Sequence, residues 1–416
     1  MHQFSFLKFY LLIAVLSGVV LTSCKKNDSS PVNPNPPQTD SFFVIVNNGY
    51  GSGKYKVGDT VHIFSNIYSP NQVFDQWSGD AALLQTPQEW HSWFIMPAKD
   101  VSFTGAVKDI TPFSLNAKMI MGVNLLKPVF YYLPPAYKGV VYLLHGTGGN
   151  AAILAGDFEW QLLMRDLINA GYGVIITEAE EATTGVDANG DGKLRWMLIP
   201  ANPQTNVDYG NIQAITDTLI SHGILNATSP RYSIGMSNGG FFSAALAYIF
   251  HFKASVQYCA QGPDNLMQTT SVPTQFCMAA NDMNNEVGAA GNAAAFSYST
   301  AMKARNVCSK FFSEPRSPIY PDRFARNGDM TTQLSDSVFN ELQVTGYIDQ
   351  RGYFVGSSDA LKAALQNQSP DLPTMNTLSL NQKSFVLQQV NQCISDHHMY
   401  SDLNKATIAF LNNPCN

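Results

Sequence analysis

Apolar residues in this chain gather into short runs, and the rhythm of those runs changes near residue 110. Before it, Ser41–Lys108 reads as short alternating segments between glycine turns, such as Gly49-Tyr50-Gly51-Ser52-Gly53, Val57-Gly58-Asp59-Thr60-Val61 and Phe74–Asp80. That pattern predicts a small all-β unit. After it, strands are predicted at Val129–Leu133, Val140–Leu144, Gly173–Thr177, Arg231–Gly235, Ala254–Cys259 and Thr274–Met278. Continuous apolar runs such as Val140–Leu144 fit strands buried on both faces. Phe241–Phe250, Leu361–Leu365, Phe385–Val390 and Leu403–Leu411 read as helical. The second region therefore alternates strands and helices, an α/β pattern.

The first residues stand apart from both regions. Lys8 precedes an apolar stretch, Phe9–Leu21, too short to span a bilayer comfortably, which ends in Leu21-Thr22-Ser23-Cys24. Residues 1–24 read as a targeting segment. Its ending resembles a bacterial lipobox, which implies cleavage, lipidation of Cys24 and anchoring of an exported protein at the outer membrane or cell surface. Simple secretion is the alternative. Residues 25–40, rich in Pro, Asn and Ser, form a polar tether. With 416 residues, 45% apolar and 13% charged, the chain is long enough for two or more cores. A formal charge of −6 and no basic run beyond Lys25-Lys26 argue against nucleic acid as a partner and favour a neutral substrate.

Candidate chemistry centres on Gly235-Met236-Ser237-Asn238-Gly239, followed by Gly240, between a strand and a helix. G-x-S-x-G in that setting frees Ser237 Oγ at a sharp turn, because the glycines remove side chains that would clash there. The strand Val140–Leu144 empties into His145-Gly146-Thr147-Gly148-Gly149. An N–H of Thr147, or of Gly148, with that of Asn238 would form a two-donor oxyanion hole. His145 reads as a brace for this loop. Downstream, Asp282 directly follows a strand, with Glu286 four residues on as the alternative acid. Late in the chain, Asp396-His397-His398-Met399-Tyr400 precedes the last helix. The base is His397 or His398, with His397 slightly preferred. The chain order is Ser, Asp, His.

With these motifs, residues 111–416 resemble the α/β-hydrolase superfamily, most of all its polyhydroxybutyrate-depolymerase, feruloyl-esterase and acetylxylan-esterase branch. Elbow and oxyanion loop match by motif, acid and histidine by position. The resemblance implies an eight-stranded, mostly parallel sheet, and an exported serine esterase acting on polyester or acyl- or feruloyl-polysaccharide bonds through an acyl-enzyme, with no cofactor required. A serine peptidase on the same fold and a non-catalytic surface adhesion protein are the rival readings. Residues 41–110 resemble a single internalin-type B repeat, a spacer or adhesion module. Its tryptophans Trp77, Trp90 and Trp93 read as core ahead of a polymer-binding platform.

Other features yield narrower expectations. Trp160 and Trp196 are candidates for lining the substrate cleft. Asp187, Asn189 and Asp191 place oxygens at alternate positions like the first half of a calcium loop, but Leu198 stands at the twelfth position instead of Glu. A structural calcium ion and a plain Asx-rich turn are both open readings. Five cysteines follow Cys24, and Cys393–Cys415 is the preferred disulfide. Residues 308–390 read as an insertion, a lid or substrate wall broken by Pro315, Pro318 and Pro321. If residues 41–110 are self-contained, a chain beginning near Ile110 keeps its activity on soluble esters.

Overall fold

The apolar runs after residue 110 assemble into one sheet of eight strands, ordered β15-β14-β13-β12-β10-β11-β9-β8. These strands are β8 (Asn116–Met121), β9 (Leu126–Tyr132), β10 (Gly139–Leu144), β11 (Tyr172–Ile176), β12 (Arg231–Met236), β13 (Ala254–Tyr258), β14 (Thr274–Ala279) and β15 (Ser309–Glu314). All neighbours run parallel except the β8–β9 and β9–β11 pairs. The computed structural model describes residues 40–66 and 70–415, with Asp40 onward forming one compact unit. The leader, Cys24 and the tether to residue 39 lie outside the described residues.

Successive side chains of a strand point to opposite faces, and both faces here are covered. Val141, Leu143, Val174, Ile176 and Val256 pack against Leu163 and Leu167 of the helix Phe158–Asn169 and Ile408 and Leu411 of the helix Asn404–Asn412. Val140, Tyr142, Leu144 and Ile175 pack against Ile212, Ile215 and Leu219 of the helix Val207–Ser221 and Phe242 and Leu246 of the helix Asn238–Ile249. Each fully buried aliphatic side chain contributes about 1.5–3 kcal/mol relative to exposure. The central strands are therefore rigid platforms for whatever their C-terminal ends carry. This is an α/β-hydrolase fold preceded by a β-rich region.

Two strands escape the apolar pattern for a physical reason. In β8 only Ile120 is buried, and in β15 only the terminal Ser309 and Glu314 are. Edge strands need no continuous apolar run. Residues 309–314 thus belong to the sheet, a correction to the insertion boundary expected at 308. Beyond them the chain builds four helices, Thr332–Val344, Ser358–Gln366, Pro373–Thr377 and Leu380–Cys393. These helices close around their own core, which includes Val338, Leu342, Leu361, Leu365, Val386 and Val390.

The N-terminal region forms two small sheets from β1 (Ser41–Asn47), β2 (Gly49–Tyr50), β3 (Gly53–Lys56), β4 (Thr60–Ser65), β5 (Gln72–Gly79), β6 (His91–Ile95) and β7 (Val101–Asp109). The sheet orders are β3-β1-β7-β5 and β2-β4-β6. Trp77 and Trp90 are buried with Phe64, Phe74, Phe94 and Phe103, so they are core residues and not a surface platform. The unit is not self-contained. Tyr320, from beyond β15, completes its core and stacks on Tyr50 with ring centroids 4.3 Å apart. Glu89 and His91 bond to residues of the last helix and the turn before it. A chain beginning near Ile110 would lack these partners, which corrects the reading of residues 41–110 as a self-contained unit.

The disulfide joins Cys308 to Cys415, tying the start of β15 to the end of the chain. This corrects the expected Cys393–Cys415 pair. Cys393 closes the helix Leu380–Cys393 and is buried in the core of the helical insertion, a free thiol like Cys259 and Cys277. No helix among the described residues is long and apolar enough to cross a membrane.

Candidate active site

Strand β12 ends at Met236 and a helix begins at Asn238, leaving Ser237 alone in the turn with φ 57° and ψ −127°. A non-glycine residue there stores about 1–3 kcal/mol of strain, held by its surroundings. The glycines are required by contact. A Cβ on Gly235 would lie 2.0 Å from the carbonyl oxygen of Gly239, and one on Gly239 would lie 2.3 Å from that of Leu144. The Ser237 N–H donates to the Tyr258 carbonyl at 2.9 Å, pinning the turn to β13.

Two distant segments meet this serine. His397 Nε2 is 2.8 Å from Ser237 Oγ, and His397 Nδ1 is 2.7 Å from Asp282 Oδ2. Because the carboxylate only accepts, Nδ1 carries the proton and Nε2 is left to take one from the hydroxyl. Asp282 follows β14 and its side chain is buried; its Oδ1 accepts the N–H groups of Asn284 and Gly288 at 2.9 and 3.3 Å. The two loops are stitched together. Asn281 N–H donates to the Ser395 carbonyl at 3.0 Å, and Asp396 Oδ1 accepts the N–H groups of Met283 at 2.8 Å and His397 at 2.7 Å.

The alternatives left open by sequence separate cleanly. His398 makes no bond to Ser237; its Nε2 accepts from Asn391 Nδ2 at 2.9 Å, and its pKa is pushed down to about 4 by desolvation and then by neighbouring His397. Glu286 faces solvent at the cleft rim, paired with Lys193 at 2.6 Å and with Arg195 at 3.1 Å. The bond from Lys193, ahead of the charge of Arg195, holds the Glu286 carboxyl below its usual range.

Thr147 lies in the wall of the cleft beside Ser237, and its N–H has no acceptor among the described residues; the N–H of Asn238, first in its helix, has none either. Gly148 N–H is already given to the Leu194 carbonyl at 2.8 Å, so Thr147 is the freer donor of the two considered. His145 braces the loop: Nδ1–H donates to the Gly146 carbonyl at 2.7 Å and Nε2 accepts the Ala179 N–H at 3.1 Å. Burial pushes its pKa down to about 4, keeping it neutral.

Trp196 is not a cleft residue, a correction to the sequence reading. It is 1% exposed, stacked on Phe242 with centroids 4.5 Å apart, and its Nε1 donates to the His145 carbonyl at 2.9 Å. The Asn238 side chain accepts its backbone N–H at 2.8 Å and donates to its carbonyl at 3.2 Å. Trp196 thus locks the glycine-rich loop after β10 to the elbow. Trp160 does line the cleft, a cavity of about 600 Å³, with Ile153, Leu154, Met399, Gln388 and Asn284.

In the candidate calcium loop, Asp187 accepts the N–H groups of Gly190, Asp191 and Gly192, and Asn189 accepts that of Asp191. Asp191 accepts from Lys193 N–H and pairs with Arg195 at 2.6 Å. These oxygens are engaged as an Asx-turn network. Sequence reasoning missed Asp396, whose carboxylate joins the two catalytic-side loops. Its position beside His397 was the available signal.

No family model matches the chain, and no curated protein matches it. Solved structures similar to part of it include a cold-adapted esterase from an Arctic intertidal metagenomic library, at 14% identity and TM-score 0.34 over 50% of this chain and 88% of that one. A dienelactone hydrolase from Anabaena variabilis matches at 14% identity and TM-score 0.35 over 55% and 97%. A ferulic acid esterase matches at 12% identity and TM-score 0.36 over 48% and 88%. The functional reading rests on the serine–histidine–aspartate geometry and not on these partial likenesses.

Proposed function

We propose that this chain is an exported, lipid-anchored serine esterase with Ser237, His397 and Asp282 as its catalytic triad. The observation that carries the reading is the unbroken relay of 2.8 Å from Ser237 Oγ to His397 Nε2 and 2.7 Å from His397 Nδ1 to Asp282 Oδ2, mounted on a strained elbow.

Ser237 gives its proton to His397 Nε2 as Oγ bonds to the ester carbonyl carbon. The carbonyl oxygen, now negative, receives the N–H groups of Thr147 and Asn238. When the tetrahedral species collapses, the carbon–oxygen bond to the alcohol breaks and the leaving oxygen takes the proton from His397. Water then loses a proton to His397 and adds to the acyl carbon; collapse returns that proton to Ser237 Oγ and frees the acid. Asp282 stays ionised throughout and holds the imidazolium. No step calls for a cofactor.

The cleft supports an uncharged ester. Ile153, Leu154, Trp160 and Met399 offer apolar surface, and Lys193 and Glu286 neutralise each other at the rim. Polyester and acyl- or feruloyl-polysaccharide bonds fit that chemistry, presented to an enzyme tethered through Cys24 and residues 25–40. A panel of p-nitrophenyl acyl esters, feruloyl and acetylated sugars and polyester films tests the reading. Hydrolysis of at least one class is expected, with Ser237→Ala lowering kcat about a thousandfold or more. Unchanged turnover in that variant would overturn it.

A further inference from the structure

We propose that Glu89 and His91 of the small β unit are positioning residues for the catalytic histidine, so that the β unit is a working part of the hydrolase. The proposal rests on the esterase reading and adds residues from outside the hydrolase sheet.

His397 sits in the connection 394–403 between the helices Leu380–Cys393 and Asn404–Asn412. On its catalytic side that connection is tied to the acid loop through Ser395 and Asp396. On the other side its partners come from the helix Phe158–Asn169, where Glu159 accepts from Ser401 Oγ and Asp166 accepts from Asn404 and Lys405, and from the β unit. The Glu89 carboxylate accepts the N–H groups of Lys405 at 3.1 Å and Ala406 at 2.7 Å, donors that the first turn of a helix cannot satisfy by itself. The carbonyl of Glu89 in turn accepts Trp77 Nε1–H at 2.9 Å, fixing the turn that presents it. Two residues on, His91 Nδ1 lies 2.7 Å from Asp402 Oδ1 and its Nε2 lies 3.0 Å from His62 Nδ1. Glu314 Oε1 is 3.5 Å from the same His91 Nδ1. Glu89, His91, His62, Asp402 and Glu314 are all buried.

Asp402 stands five residues after His397, in the short turn Ser401–Leu403. Tyr400 OH donates to the Asp396 carbonyl, so the turn that His91 grips is bonded back to the residue preceding the base. The connection is thus clamped at both ends, and the far end is shared between Glu159 and Asp166 of the hydrolase part and Glu89 and His91, more than 300 positions earlier. Without Glu89 and His91, the 394–403 segment keeps its bonds to Glu159 and Gln392 but loses the part of its support that comes from the β unit, and with it part of what sets the imidazole against Ser237. Small misplacements of a catalytic group cost up to about a hundredfold in rate.

The test compares Glu89→Ala, Glu89→Gln, His91→Ala and Val44→Ala in the full chain. Val44 is a buried core residue of β1 in the same β unit whose side chain makes none of the polar bonds of this clamp, and it controls for general loss of stability. The readouts are kcat and KM on a soluble ester, and amide hydrogen exchange across residues 396–406. Expected are a fall in kcat of about tenfold for Glu89→Ala and His91→Ala with KM within about twofold, faster exchange at 396–406, a smaller fall in Glu89→Gln, which keeps one of the two acceptor oxygens, and an unchanged kcat in Val44→Ala. If Glu89→Ala does not fold, His91→Gln replaces it. Unchanged kcat and exchange in the folded variants would overturn the proposal, as would an equal fall in kcat for Val44→Ala. If wild type hydrolyses no ester, the esterase reading fails, and unchanged exchange in the variants would then overturn the clamp independently.

Discussion

The serine elbow and the histidine connection occupy one cleft but are held by different kinds of constraint. At the elbow the constraint is local and steric: Gly235, Ser237 and Gly239 lie within five residues, and each glycine is required by contacts shorter than any Cβ tolerates. Around residues 394–406 it is distant and polar, made of bonds to Asn281 and Met283 in the acid loop and to Glu89 and His91 in the β unit. A local steric constraint writes a motif into the sequence. A set of long-range hydrogen bonds leaves no spacing to read.

The largest effect expected from this contrast is at the histidine pair. His397→Ala should lose about as much activity as Ser237→Ala, about a thousandfold or more in kcat, because members of one triad act as a unit. His398→Gln should stay within about fivefold, its Nε2 being held by Asn391 and not by the serine. Steady-state kinetics on one soluble ester decides it; the reverse pattern would reassign the base. The clamp variants at Glu89 and His91 come next, about tenfold by the same reasoning.

The smallest effect is a pH dependence of stability. His398 has its folded-state pKa near 4, below the value of an unfolded histidine, through desolvation first. Between about pH 6.5 and pH 4 the unfolded chain therefore binds a proton that the native chain refuses, so stability falls as pH drops through that window and is unaffected above it. His145 follows the same direction, but it is common to wild type and His398→Gln and cancels in the comparison. Denaturant unfolding of both proteins across the window should show wild type losing stability more steeply, by up to about one proton's worth. Parallel curves would mean that His398 is not held neutral by the fold.

The same contrast separates what is legible in the sequence from what is not. Six sheet strands and the tight turn at Ser237 are legible because burial on both faces or crowding in a turn dictates residue type over a few positions. The edge strands β8 and β15 are not, since an edge carries little apolar pressure. Asp282 is legible from its place after β14, whereas the choice between His397 and His398 needs the fold. Trp196 misleads because a tryptophan near a cleft looks the same in sequence whether it lines the wall or, as here, supports the loop beneath it. The partner of Cys415 is hidden because only the returning chain end brings it beside Cys308. The dependence of residues 394–403 on the β unit is invisible, since nothing in Glu89 or His91 names a partner more than 300 residues away.

Whether Ser237 is a nucleophile activated by His397 can be asked at the reacting atom itself, by covalent trapping. The full chain is treated with a fluorophosphonate probe, digested and mapped by mass spectrometry, alongside the His397→Ala and His398→Gln variants. One adduct is expected, on Ser237, formed rapidly in wild type and His398→Gln and at least about a hundredfold more slowly in His397→Ala. No adduct on Ser237 in the wild-type protein, or equal labelling rates in all three proteins, would contradict a triad built on these residues.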